Sequence, residues 1–364
     1  MSVKMRVGFV ARKGNITVSS TAAGLWGYSV QRLTTTLYDR LIKKASRDIY
    51  IEKVELGKGG STFSRRATLF TELISRDMRG YDIIHAPTPL PLKPLRISQN
   101  TKLITTSHGM HSIDKRGECY KVERINWNVT ESIMGWFGEG ATLASDYIIA
   151  VSSLTKKRAI DLGFDPKRIF VVNNGLDDRF IKTPIRRRKS RKRFVVGYLG
   201  PLYMRKNVVF AIDAFKKIRG DDIRFEIWGR KAYEYPRLVR AAKPDRRIRF
   251  MGTAPENKLI SVYDSFDVFV YPTLCDQFPG SIVEAQSRGL PVITYKRGEF
   301  SGESRRYCID ANDEIHMADI IERLKNDGSD DRRRRRATQY ARSFTADRQA
   351  VETLNVYEKI YKTD

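Results

Sequence analysis

The sequence predicts an α/β protein made of two doubly wound, Rossmann-like domains. Three observations carry that prediction. Short runs rich in β-branched and aromatic residues alternate with helical patterns from end to end, the signature of parallel sheets with crossover helices. The alternation falls into two sets, separated by a polar and strongly basic stretch, 182–193, that has one proline and no periodicity. The 364 residues are enough for two domains of ordinary size, each burying its own core.

In chain order, strands are expected in the first half at MRVGFVA, IYIEKVEL, YDIIHAP, KLITTSH, YIIAVS and IFVVNN, with helices over 25–44, 63–78, 120–144 and 154–162. The second half offers RFVVGYLG, IRFEIWG, IRFMG, DVFVYP, PVITY and YCID, with helices near 207–218, 233–242, 256–265 and 281–288. The tail, 344–364, reads as an amphipathic helix, because Val351, Leu354, Val356 and Ile360 fall close to one face. The expected domains are therefore 1–181 and 194–343, joined by the basic linker 182–193 and followed by that helix.

The most informative window places Asp276 and Glu284 eight residues apart around a Pro279-Gly280 turn. The run DVFVYP before it suits a strand buried on both faces. Ser281 opens a helix that closes at Gly289, with Pro291 two residues on. One carboxylate then lies in the loop at the strand's C-terminal end and the other in the first helical turn, where open α/β sheets bind ligands. The same residues also read structurally: Ser281-x-x-Glu284 is a capping box, and Asp276 suits a turn.

Arg205 and Lys206 follow the strand RFVVGYLG and precede a helix, so two cations and a helix N-terminus could neutralise a diphosphate; solvated loop charges are the alternative. His108 ends the strand KLITTS and would project from the first domain toward a cleft, unless it is a satisfied core histidine. Gly24 and Gly27 open the first long helix after a loop, which fits close backbone approach to a phosphate or hydroxyl. Asn174-Gly175 is a turn signal that needs no function.

Composition narrows the classes further. No apolar stretch approaches a membrane span, and the N-terminus MSVKMRVGFVARKG lacks the apolar core of a signal peptide, so a cytoplasmic location is expected. Cys119, Cys275 and Cys308 are widely spaced without a C-x-x-C pair, which supports neither a disulfide framework nor a zinc knuckle and suits a reducing compartment. His108 and His111 offer two ligands without a third, and no D-x-D occurs, so no metal is expected. The net charge of +25 calls for an anionic partner, an anionic surface or a special habitat. Yet the basic residues are scattered, with dense runs only at 182–193 and 332–336, and zinc-finger spacing, RNP-like aromatics and leucine heptads are missing. Specific nucleic-acid recognition is therefore not expected.

Taken in order, three segments resemble the family 4 retaining glycosyltransferases of the GT-B fold, and the likeness covers essentially the whole chain. SDYIIAVSSLTKKRAIDLGFDPKRIFVVNNGLDDRF is similar to the family's inter-domain passage, FVVGYLGPLYMRKNVVFAIDAF to its phosphate-binding strand and loop, and IRFMGTAPENKLISVYDSFDVFVYPTLCDQFPGSIVEAQSRGLPVIT to its E-x7-E region. The resemblance implies two Rossmann-like domains facing across a cleft, with the closing helix crossing back to the first. It also implies transfer of a hexose-type sugar from a UDP- or GDP-type donor to a hydroxyl of a lipid-linked or glycan acceptor, without a metal or other cofactor.

By the same resemblance Glu284 binds the ribose hydroxyls, and Arg205 with Lys206 the donor diphosphate. Backbone near Met251 and Gly252 meets the base, Gln277, Phe278, Pro279 and Gly280 touch the transferred sugar, His108 lines the reaction centre, and Gly24 lets the first-domain loop approach. Two departures stand out. The first acidic residue is Asp276, one methylene shorter than the family's glutamate, and the family's paired glycines are reduced to Gly24 and Gly27 with Leu25-Trp26 between them. Two alternatives remain open: a nucleic-acid-binding protein on a degenerate scaffold of this fold, and a sugar-nucleotide epimerase. The segment 63–80 combines Arg65, Arg66, Arg76 and Arg79 with Phe70, Leu73 and Ile74, which suits either a helix lying on an anionic membrane surface or an ordinary packing helix.

Overall fold

The computed structural model describes residues 4–12, 28–57, 62–90, 93–109, 140–185 and 193–363. The chain divides into two compact units, each a parallel sheet with crossover helices. The first contains β1 (Met5–Arg12), α1 (Tyr28–Lys44), β2 (Ile49–Leu56), α2 (Thr62–Ser75), β3 (Ile83–Ala86), β4 (Lys102–Ser107), β5 (Tyr147–Ala150), α3 (Ser153–Asp161) and β6 (Ile169–Val171). Its strands pair in the order β2-β1-β3-β4-β5-β6, all parallel. Strand side chains alternate between two covers: Val7, Phe9 and Ile104 pack on one face with Leu37 and Leu41 of α1, while Val10, Ile84 and Leu103 pack on the other with Leu73 of α2. Gly24, Gly27 and most of the expected helix 120–144 lie outside the described residues.

The second unit contains α4 (Asp178–Lys182), β7 (Phe194–Leu199), α5 (Val208–Lys217), β8 (Ile223–Trp228), α6 (Tyr235–Ala242), β9 (Ile248–Gly252), α7 (Leu259–Tyr263), β10 (Val268–Tyr271), α8 (Gly280–Ser287), β11 (Val292–Tyr295), α9 (Gly302–Arg305), β12 (Ile309–Ala311), α10 (Glu314–Asp327) and α11 (Asp331–Arg342). Its strand order, β12-β11-β10-β7-β8-β9, is a doubly wound sheet that reverses direction between β7 and β10. The last helix, α12 (Ala346–Lys362), belongs to the first unit, burying Leu354, Tyr357 and Ile360 beside Phe9 and Ile104. Val351, counted on the buried face from the sequence, is exposed, and Ala350 takes its place inside.

Three expectations need correction. The chain passes into the second unit between Gly175 and Leu176 rather than at 181/182. The reason is tertiary: Phe180 is buried edge-on to Tyr263, and the fully buried Arg288 donates to the carbonyls of Thr183 and Pro184. The described ends of the 182–193 stretch therefore belong to the second unit, and residues 186–192 lie outside the description. Leu73 is wholly buried against the sheet, so it cannot share an outer face with Phe70 and Ile74. Finally, α11 forms where only a basic run was noted, because the Asp330 side chain caps it by accepting from the N–H groups of Arg332 and Arg333 while Ala337 and Ala341 face inward.

Candidate active site

β7 and β10 lie side by side at the point where the second sheet reverses, and the loops leaving their C-terminal ends are tied together. The carbonyl of Arg205 accepts from Leu274 N–H at 2.8 Å and Thr273 Oγ1 at 3.1 Å, and Arg205 Nη1 donates to the carbonyl of Cys275 at 3.2 Å. The neighbouring loop after β8 comes as near as backbone can: a Cβ at Gly229 would stand 1.9 Å from the carbonyl oxygen of Gly200, so only glycine fits. Arg205 and Lys206 sit in a 3-10 turn, Met204–Lys206, and Asn207 turns the chain into α5 with a left-handed φ of 52°.

The two cations and Asp276 form one network. Lys206 is only 3% exposed; its ammonium pairs with Asp276 and donates to Tyr271 Oη at 2.6 Å, while Arg205 Nη1 lies 3.8 Å from the same carboxylate. Burial pushes the Asp276 carboxyl up, but the charges of Lys206 and Arg205, with hydrogen bonds from Lys206 and the Gln277 N–H, outweigh it and hold the group below the usual carboxylate range. Asp276 is thus ionised, and its carboxylate is shared between Lys206 and Arg205. Tyr271 was read only as part of a buried strand; a buried tyrosine hydroxyl needs a partner, and this one has two, Lys206 and, at 3.2 Å, Asp276.

α8 begins one residue earlier than expected, with Pro279 as its N-cap and no side-chain cap bond. Glu284, its fifth residue, is 8% exposed and accepts from Tyr263 Oη at 2.7 Å. Gln277 and Phe278 are buried, Phe278 edge-on to Phe344, and Gly280 is exposed. At the end of β9, Met251 is 40% exposed and Gly252 has a left-handed φ of 78°. The sheet's C-terminal edge therefore assembles Arg205, Lys206, Asp276 and the Gln277–Gly280 loop, with the ends of β8 and β9 alongside.

His108, in the first unit, is half-buried at the end of β4; it donates to the carbonyl of Pro87, and burial lowers its imidazole to about 4. It shares the C-terminal edge of its own sheet with the end of β3. Cys275 is buried in the loop that follows β10, and Cys119 lies outside the described residues. Cys308 is a buried free thiol. Among the described residues, no group of three or more His, Cys, Asp or Glu side chains is placed to hold a metal ion, and no helix is long and apolar enough to cross a membrane.

Comparison with known proteins supplies the assignment. Residues 193–327 match the family described as Glycosyl transferases group 1, and residues 27–180 match Glycosyltransferase Family 4. The chain is similar to the D-inositol 3-phosphate glycosyltransferase of Corynebacterium efficiens, with 25% identity over 311 residues, 77% of this chain and 71% of that protein. It is also similar to the UDP-Gal:alpha-D-GlcNAc-diphosphoundecaprenol alpha-1,3-galactosyltransferase of Escherichia coli, with 24% identity over 279 residues, 68% of this chain and 67% of that protein. Among solved structures it shares its fold with Anabaena HepE in complex with UDP and glucose, at a TM-score of 0.61 and 15% identity over 97% of this chain and all (100%) of that one. These matches favour sugar transfer over the nucleic-acid-binding and epimerase alternatives. Both halves of the sequence and the doubly wound sheets agree that the chain belongs to the family 4 glycosyltransferases and is a nucleotide-sugar-dependent enzyme of the GT-B fold.

Proposed function

We propose that the protein moves a hexose-type sugar from a UDP- or GDP-type donor to a hydroxyl of a lipid-linked or glycan acceptor, with retention of anomeric configuration and without a metal. The observation that carries this reading is the tie between the β7 and β10 loops, which gathers Arg205, Lys206 and Asp276 at the reversal point of a doubly wound sheet. In this reading the diphosphate lies against Arg205, with the Lys206–Asp276 pair behind it, and Glu284 holds the ribose hydroxyls. Met251 and Gly252 meet the base, and Gln277 to Gly280 meet the sugar. His108 is neutral at pH 7, as its lowered imidazole requires, and lines the reaction centre as a hydrogen-bonding group rather than a cation.

With no separate nucleophile assigned, the leaving diphosphate assists on the face the acceptor hydroxyl enters. The C1–O bond to the diphosphate breaks as the acceptor oxygen bonds to C1, and the acceptor proton passes to a diphosphate oxygen. Arg205 stabilises the charge growing on that leaving group, a contribution worth about 3 kcal/mol for one preorganised donor. The relatives' names fit an acceptor bearing phosphate or a lipid diphosphate.

The test is a panel of UDP- and GDP-sugars assayed for transfer with and without EDTA, alongside Glu284→Ala. The expected result is release of one nucleoside diphosphate, undiminished by EDTA, and its loss in Glu284→Ala with the fold intact. An absolute divalent-metal requirement, or near-normal turnover of the variant, would overturn the assignment of roles.

A further inference from the structure

We propose that Arg230 is a second diphosphate-binding residue, positioned by the Tyr203 hydroxyl; this rests on the reading of the donor site given above. Arg230 lies just past the C-terminal end of β8, the strand between β7 and β9. A nucleotide whose diphosphate lies against Arg205 and whose base meets Met251 and Gly252 therefore crosses this end of β8. Backbone bonds hold the crossing point from both sides. Gly200 N–H donates to the Trp228 carbonyl at 3.0 Å, Leu202 N–H to the Arg230 carbonyl at 3.3 Å, and Gly229 N–H to the Gly252 carbonyl at 2.8 Å.

Tyr203 gives the guanidinium its direction. Arg230 Nη2 donates to Tyr203 Oη at 2.7 Å, and the guanidinium of Arg205 lies over the same ring, 6.0 Å from its centroid. One tyrosine thus meets a cation from the β7 loop at its face and a cation from the β8 loop at its hydroxyl. Arg230 is half-buried, and among the described residues no carboxylate pairs with it. Two guanidiniums gathered on one side chain repel each other, and an anion bound beside them relieves that repulsion. The bond to Tyr203 occupies one of the five N–H donors of a planar fork, and the rest of the fork suits phosphate oxygens.

The experiment measures binding of whichever of UDP and GDP the unaltered protein holds more tightly, and of the matching nucleoside, for the full chain, Arg230→Met, Arg230→Lys, Tyr203→Phe and the Arg230→Met/Tyr203→Phe double variant. Tyr203→Phe keeps the ring under Arg205 and removes only the hydroxyl. The expected result in Arg230→Met is an affinity loss of about tenfold for the diphosphate, a shallower dependence of that affinity on salt, and no change for the nucleoside. Arg230→Lys should recover part of the loss, because it keeps the charge without the fork. Tyr203→Phe should weaken diphosphate binding by about threefold and add nothing to Arg230→Met, since it acts through that residue. Unchanged diphosphate affinity in Arg230→Met, or equal losses for diphosphate and nucleoside as a purely structural tie between the loops would give, would overturn the proposal. Binding of neither UDP nor GDP by the unaltered protein would instead overturn the reading of the donor site on which it rests.

Discussion

An ammonium as buried as that of Lys206 is stable only beside a fixed anion and a second acceptor, and Asp276 and Tyr271 supply them. Arg205 shares the carboxylate at 3.8 Å but keeps part of its side chain open to solvent. Adjacent cations thus have different surroundings: Lys206 holds the loop, and in the proposed reading Arg205 meets the donor diphosphate. Lys206→Met should lower the unfolding free energy by about 3 kcal/mol, because it removes the near cation from a largely buried carboxylate and leaves it only Arg205 at 3.8 Å and the neutral donors Tyr271 Oη and Gln277 N–H. Arg205→Met should cost less than about 1 kcal/mol of stability yet weaken UDP or GDP binding by about tenfold or more. Urea denaturation and calorimetric titration read the two effects, and a Lys206→Met protein as stable as its parent would refute the division.

At the scale of elements, the closing helix α12 meets the first sheet through a buried polar link. His85 of β3 is fully buried, with Nδ1 2.5 Å from Tyr357 Oη and Nε2 2.7 Å from Thr106 Oγ1. Burial, with a smaller effect from His108, lowers its imidazole to about 3. The unfolded chain, with an ordinary value of about 6.5, therefore takes up the proton first. The stabilisation is complete above about pH 6.5 and is lost as pH falls toward the folded value, amounting to about 2 kcal/mol between pH 7 and 5. In urea titrations over that range, His85→Gln should be less stable at pH 7 but lose about 2 kcal/mol less on acidification; an unaltered slope would assign the acid sensitivity to other groups. These elements differ in how visible they are beforehand. The strands were legible because parallel strands covered on both faces read as continuous β-branched runs such as DVFVYP. α11 was not, since its arginines hide the two alanines that face inward. The site was legible where one local segment builds it, as in Asp276 to Gly280. Its partners were not: Tyr263 stands 21 residues from Glu284 and Tyr271 stands 65 from Lys206, pairings that no local pattern announces.

The whole molecule carries a net charge of +25, and its two ordered sheets leave that charge largely on the surface. On α11, Arg332, Arg335 and Arg336 are exposed at i, i+3 and i+4, a like-charged face that destabilises an isolated helix unless an anion lies near. On α2, Phe70 and Ile74 are 44% and 48% exposed one turn apart, and Arg76 and Arg79 follow beyond the helix. An apolar pair flanked by cations suits the headgroup region of an anionic bilayer, where each basic residue adds about 1 kcal/mol of attraction. A lipid-linked acceptor would then be reached by peripheral attachment. Flotation with liposomes should show binding that rises with anionic lipid content and falls steeply with salt, as the screening length shrinks from about 10 Å at 0.1 M to about 3 Å at 1 M. Replacing Phe70 and Ile74 together by serine should weaken binding by about tenfold while leaving transfer to a soluble acceptor analogue intact, since neither residue belongs to the second unit's site. Equal indifference to neutral and anionic vesicles would point to a soluble acceptor and leave the charge to be explained by another polyanion.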